Sequence, residues 1–561
     1  MLRTVLLFGE VLVYFIFVFI LGVISKKWVS NMSDFFTSGR ELSVLAMSFG
    51  LAGIMFSGAT LPTISGFAIT HSLWIGSLYM WGWAAGIFFF GRVIAPAIRR
   101  SGVTTVSEWA EVRYDAKTRT VVALATSIAA FGALFAQVVG LGNNITAVTG
   151  IPYWATTLIV VVLCTSYMYL GGFWALSITD VSHMTVVMVA FLVVLVYLFS
   201  ANGGIAEVIL NSPGAETRVF SFLGNSPDWF MTSLKYPSFP SLLFGWAFCQ
   251  LGCQYYWMRA VGGRSELAVK RGYYLSGLIT IVFGSTMLAA FGLIALKLYG
   301  EDVVTSANAF GMIIKGLPIG LDGLLLVALV AGCMSTFSTA LLGVSSPITR
   351  DIYQRILAPK ASAKQLTTAS RMITLAVAAL SYIFALLWKQ GSGHALAFMW
   401  AFSCPTAALV LLGYFWNRVT VKAGFWGELI GLIVTAGWYI AGLSGVVHPM
   451  WVGFIVTGVI IIVITLFTKP KYYGAADYKP AEASKAAGLA QNAALMSQYQ
   501  EEQYKEAMCN VMRPAFGGKK WRAMVEKHHN ETYTIADFFF PHLTERTLND
   551  VYPAKSAEAA E

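Results

Sequence analysis

Thirteen apolar runs constrain this chain more than any other feature, each near the ~20 residues a helix needs to cross ~30 Å of hydrocarbon. They lie near 5–25, 43–69, 73–98, 118–148, 153–170, 177–200, 240–257, 270–298, 321–349, 367–388, 394–416, 424–444 and 448–468. With 57% hydrophobic and 12% charged residues, the chain lies far from the ~25% charged content of soluble domains. A backbone crossing lipid must satisfy its own N–H and C=O groups, so the runs predict an all-α polytopic membrane protein with about 13 transmembrane helices in a lipid bilayer.

Charge places the loops. The chain has 38 Lys and Arg against 28 Asp and Glu, and the last 93 residues hold 12 of each sign, so the basic excess belongs to the membrane part. In alternating loops the basic residues divide 19 to 6, the poorer set being Arg3, Arg218, Lys235, Lys297, Lys315 and Lys389. Positive loops face the cytoplasm, which predicts an outside N-terminus, a cytoplasmic C-terminus and a multi-pass protein of the cell (inner) membrane. A nucleic-acid binder would gather its charge on one exposed face, so no nucleic-acid partner is expected.

Two regions follow: a transmembrane domain over 1–468, and a cytoplasmic tail over 469–561 whose Ala/Gln/Glu stretch at 481–512 reads as a helix. The first run lacks a small-residue cleavage pattern and reads as a retained helix. Cys164, Cys249, Cys253, Cys333 and Cys404 lie in apolar runs and Cys509 in the tail, which suggests neither a disulfide frame nor a zinc site. Adjacent His528 and His529 are poorly spaced for metal binding and read as a solvated surface.

Two spans break the rules of a membrane helix. The second holds Gly50, Gly53, Gly58 and Gly66 with Pro62; the seventh holds Gly245 and Gly252 beside Gln250 and Gln254. If spans two to six and seven to eleven are repeats of opposite topology, over about 43–200 and 240–416, these are the first helices of each. Matching interruptions point to a transporter's central site, although glycine for tight helix packing explains either span alone. In the ninth span Gly332, Ser335, Thr336 and Thr339 follow i, i+3, i+4, i+7 and share a face, with Ser338 at its edge. Uncharged oxygens so arranged suit a monovalent cation, or they bond back to the preceding turn.

Ionisable groups at depth are few. Asp180 is a functional candidate by default, or else part of a capping box with Ser177. His183 and His394 read as hydrogen-bonded structural residues. Gln137, Asn143 and Asn144 face either a cavity or a neighbouring helix.

Several segments, in this order, resemble one family. Asp34-Phe-Phe-Thr-Ser-Gly-Arg40, Ser107-Glu-Trp, Gly171-Gly172 with Thr179-Asp180, Arg259, Met334-Ser-Thr336 and Ser345-Ser-Pro-Ile-Thr-Arg-Asp-Ile-Tyr353 are similar to the sodium/solute symporters of proline, sugars, sialic acid and pantothenate. The resemblance covers about residues 5–468. It implies a LeuT-type 5+5 inverted repeat, with one span before it and two after, and Na+ as the coupling ion. It implies a sodium site from carbonyls of Gly53 and Phe56 with Gly332, Ser335 and Thr336, and a second sodium at Asp180, Ser335, Ser338 and Thr339. Met55 replaces a carboxylate of the proline branch, and Met168 a usual small residue, so proline specificity is not implied.

Taken together, these readings predict a secondary active transporter that brings a small organic solute (amino acid, monocarboxylate or sugar-like) into the cell with sodium by alternating access. Ser57, Thr60, Gln137, Gln250, Gln254 and Tyr255 are the candidate solute-binding residues. Proton coupling, or a solute sensor signalling through the tail, stays open as an alternative. An enzyme is not expected, because no cluster of His with Asp or Glu shares one depth.

Overall fold

The computed structural model describes residues 2–468 except 30–31, 102, 305–308 and 417; the sequence readings for the tail lie outside them. Sixteen helices carry the architecture: α1 (Leu2–Ser25), α2 (Val44–Gly53), α3 (Thr60–Thr70), α4 (Leu73–Phe89), α5 (Val106–Arg113), α6 (Ala116–Thr149), α7 (Tyr153–Ala201) and α8 (Phe239–Gly252). There follow α9 (Gln254–Gly262), α10 (Glu266–Ile279), α11 (Thr286–Tyr299), α12 (Leu321–Pro347), α13 (Ala363–Leu387), α14 (Ser392–Phe415), α15 (Val421–Ile440) and α16 (Pro449–Phe467). Short helical turns complete the connections.

Local chemistry sets where these helices begin. Ser43, Ser72, Thr105, Asp115, Ser238 and Ser265 each accept a backbone N–H of the first turn they precede, satisfying a donor that the helix cannot. Ser362 and Gln365 form a reciprocal capping box at the start of α13.

Ten continuous helices among the described residues are long and apolar enough to cross a membrane. The difference from thirteen arises at three places. The second and seventh expected spans are each split, into α2 with α3 and α8 with α9. The fifth and sixth run together as α7, whose helical path is bent at Gly172. There φ is 52° and ψ −137°, and a Cβ would press on the ring and carbonyl of Phe35, so only glycine fits. This corrects the capping-box reading of Asp180: Ser177 lies inside the helix, and its hydroxyl donates to the Phe173 carbonyl at 2.6 Å.

The most buried span is the helix beginning with α12, which packs against α6 and α7, while α14 packs against α6, α8 and α16. By contrast α1, α13, α15 and α16 present large apolar side chains outward, as lipid-facing helices must. The broken helices are thereby held inside a protein wall, where freed backbone groups can find partners.

Candidate ion and solute site

Between α2 and α3, residues Ile54 to Ala59 leave the helical path, and several of the backbone groups there find partners. Ser57 Oγ accepts the Thr60 N–H at 3.1 Å and donates to Thr60 Oγ1 at 2.8 Å, just ahead of α3. The Ala59 N–H donates to Gln137 Oε1 at 3.1 Å. The Ala59 carbonyl accepts from Thr63 at 2.8 Å and from Ser392 at 3.3 Å.

The carbonyls before the break face α12. Thr336 Oγ1 lies 3.0 Å from the Gly53 carbonyl, 3.2 Å from that of Gly332 and 3.5 Å from that of Ile54. Gly332 has no room for a side chain, because a Cβ there would overlap the Phe56 carbonyl oxygen. Ser335 donates to Asp180 Oδ1 at 2.6 Å, and a Cβ on Gly53 would lie 2.6 Å from Ser335 Oγ. Gly53, Phe56, Gly332, Ser335 and Thr336 are therefore gathered at one place and are buried, Thr336 being 4% exposed. Carbonyl and hydroxyl oxygens without a carboxylate in direct contact are a donor set fit for sodium.

Asp180, Ser338 and Thr339 lie close by with other partners. Arg259 Nη2 is 2.5 Å from Asp180 Oδ2 and 3.0 Å from Thr339 Oγ1, and Ser338 Oγ is 2.6 Å from the Tyr167 hydroxyl.

The second break falls at Cys253, whose extended backbone (φ −106°, ψ 119°) separates α8 from α9. Trp257 Nε1 donates to the freed Leu251 carbonyl at 2.9 Å. Gln250 Nε2 donates to the Trp83 carbonyl at 2.9 Å, while its Oε1 has no partner among the described residues. One turn earlier on α8 is Trp246, whose ring is 5.2 Å from Tyr79 of α4 and 5.3 Å from Trp400 of α14. The Tyr79 hydroxyl is near the Trp246 indole N–H, but neither these two groups nor the Trp400 N–H makes a well-formed hydrogen bond among the described residues, and all are buried. Four unmet polar groups on three helices are a liability unless something binds them. Sequence reading missed this trio, because aromatic residues in apolar spans most often serve only packing.

The other candidates separate. Ser57, Thr60 and Gln137 are at the first break, but Gln137 is committed to the Ala59 N–H. Gln254 is turned to the loop before α5, accepting the Val106 N–H at 2.9 Å and donating to the Thr104 carbonyl at 3.1 Å. Tyr255 donates to the Met399 sulfur at 2.8 Å. His183 is a structural partner, its Nδ1 lying 2.6 Å from the Tyr14 hydroxyl, and Asn144 bonds back to the Gly140 carbonyl at 2.8 Å.

At the basic-loop end, α5 is fastened by charge. Glu108 accepts from Arg350 at 3.0 Å and from the Thr104 N–H at 2.7 Å. Arg119 pairs with Asp351 at 2.5 Å and Glu111 at 2.7 Å. Burial alone would raise the Glu108 pKa, but Arg350, the Thr104 N–H and the more distant Arg355 and Arg119 outweigh it and hold the carboxyl at about 2.

Residues 35–431 match the family model described as the sodium:solute symporter family. The high-affinity proline transporter PutP of Bacillus subtilis (strain 168) is 26% identical, over 80% of this chain and 96% of its own. Sodium/glucose cotransporter 4 of Danio rerio is 23% identical, over 76% of this chain and 70% of its own. A Na+-coupled sialic acid symporter, solved in a substrate-bound outward-open state, superposes with a TM-score of 0.73 at 19% identity, covering 83% of this chain and 98% of that one. The shared fold is the LeuT-type inverted repeat.

Proposed function

The chain belongs to the sodium:solute symporter family, and from that premise we propose that it imports a small organic solute with sodium by alternating access across the cell (inner) membrane. The basic loops and tail face the cytoplasm and the N-terminus faces out. The observation that carries the reading is the break of the first core helix against Gly332, Ser335 and Thr336. Sodium at this place is held by the Gly53 and Phe56 carbonyls and the hydroxyls of Ser335 and Thr336, tying a moving helix to α12. Bound sodium thereby favours the arrangement that holds the solute, and each ligand favours the other.

The solute is an amino acid, monocarboxylate or sugar-like molecule held between the two breaks. Ser57, Thr60 and Gln250 are its polar contacts, and Tyr79, Trp246 and Trp400 offer both aromatic faces and unspent donors. A membrane potential of 100 mV supplies ~2.3 kcal/mol per charge and a tenfold sodium gradient ~1.4 kcal/mol, so one ion supports roughly 500-fold accumulation.

The test is uptake into proteoliposomes across a panel of amino acids, organic acids and sugars, with an inward sodium gradient imposed. At least one solute should accumulate with sodium and not with choline. Accumulation driven by a proton gradient in sodium-free buffer would overturn sodium coupling.

A further inference from the structure

Asp180 and Arg259 are both fully buried, and their contact joins four helices. Oδ2 of Asp180, on α7, is 2.5 Å from Nη2 of Arg259, on α9, and the same nitrogen donates to Thr339 Oγ1 of α12 at 3.0 Å. The guanidinium carbon stands 5.0 Å from the centre of the Phe173 ring. On α2 the pair faces Gly50, where a Cβ would run into both the guanidinium and the carboxylate. Oδ1 of Asp180 accepts the Ser335 hydroxyl at 2.6 Å. Nε and Nη1 of Arg259 have no hydrogen-bond partner among the described residues, so its positive charge is met chiefly by this one carboxylate.

Two chemical consequences follow. A hydroxyl has one proton and two lone pairs; with the Ser335 proton spent on Asp180, its lone pairs are free to face a cation. A buried carboxylate flanked by hydroxyls is a natural site for a hard cation, but here a fixed guanidinium already neutralises it. The Thr339 oxygen accepts an N–H, and Ser338 is engaged by Tyr167.

We infer that Arg259 is a tethered cation standing in place of a second metal ion, so that the carrier takes one sodium per cycle, with Asp180 a positioning residue that serves this sodium through Ser335. The inference rests on the sodium reading above and adds to it the number of ions and the division of roles.

It also fixes a sign. Neutralising Asp180 leaves a buried positive charge facing the sodium and releases the Ser335 proton, which weakens sodium binding. Neutralising Arg259 leaves an unmatched carboxylate that recruits a cation. A merely structural ion pair would give losses in both cases, since breaking a buried pair from either side leaves one charge uncompensated.

The experiment is equilibrium binding of radioactive sodium to the purified full-length protein in detergent, with choline holding ionic strength constant. The wild type should bind one ion per chain. Asp180→Asn should bind it roughly tenfold or more weakly, Arg259→Gln should bind a second ion, and the double variant should return to one ion with affinity within about threefold of wild type. Two ions per wild-type chain would overturn the inference while leaving sodium coupling intact, and this measurement needs no variant to fold. Equal losses in both single variants, unrelieved in the double, would also overturn it. Absence of saturable sodium binding in the wild type would overturn the sodium reading and this inference with it.

Discussion

Thr336→Val is the sharpest single probe of the ion site. Valine has the shape of threonine without its oxygen, and position 336 is only 4% exposed, so packing is kept while one proposed sodium ligand is lost. A hydrogen bond or ligand contact to a charged group contributes ~1.5–3 kcal/mol. Part of this is returned, because without the ion Thr336 donates to the Gly53 carbonyl at 3.0 Å, and losing that bond destabilises the ion-free state by ~1 kcal/mol. The net penalty is ~0.5–2 kcal/mol, which at ~1.4 kcal/mol per decade raises the sodium dissociation constant roughly 2- to 30-fold. Radioactive sodium displaced by unlabelled sodium measures it directly. Thr336→Ser keeps the hydroxyl and should stay within about threefold of wild type. Unchanged affinity in Thr336→Val and in Ser335→Ala would remove α12 from the ion site.

Gly332→Ala places a methyl against the Phe56 carbonyl; it should lower stability by ~1–3 kcal/mol and abolish sodium binding, whereas Gly458→Ala, within α16 and with no atom within 4 Å of the added methyl, should leave sodium binding unchanged and not lower stability, as thermal unfolding and binding assays would read. Trp400→Phe removes an N–H without a partner among the described residues and shrinks a fully buried ring, so stability should fall by ~1–2 kcal/mol while the KM for the transported solute rises roughly fivefold; unchanged uptake in this variant, Trp246→Phe and Tyr79→Phe alike would exclude the aromatic trio from solute binding. Because the Glu108 pKa falls from 4.5 to about 2 on folding, its contribution is complete above about pH 4.5 and is lost as pH falls through about 2. Glu108→Gln should therefore lower the Tm near neutral pH and flatten its acid dependence, as measured by thermal unfolding between pH 7 and 2.

The aromatic trio shows where sequence reading stops. Nothing distinguishes Tyr79, Trp246 and Trp400 from ordinary packing residues until three helices bring their unmet donors together. Gln254 shows the converse: its place beside a helix break made it a solute candidate, yet a loop some 150 residues earlier in the chain takes both its oxygen and its nitrogen. Gln137, likewise a solute candidate from its place in the fourth span, lies beside the first break, where its Oε1 accepts the Ala59 N–H.

Local chemistry was enough to reveal the two broken helices and the hydroxyl face of α12, because glycine content, proline and the 3.6-residue period act over a few residues and leave their mark in order along the chain. The same holds for the membrane class itself, which follows from the lengths of the apolar runs. Only the tertiary structure decided that Arg259 meets Asp180, and that Ser335 spends its proton there. A charge pair separated by 79 residues has no local signature; its geometry comes from how α2, α7, α9 and α12 pack, and packing is a property of surfaces that the linear order does not contain.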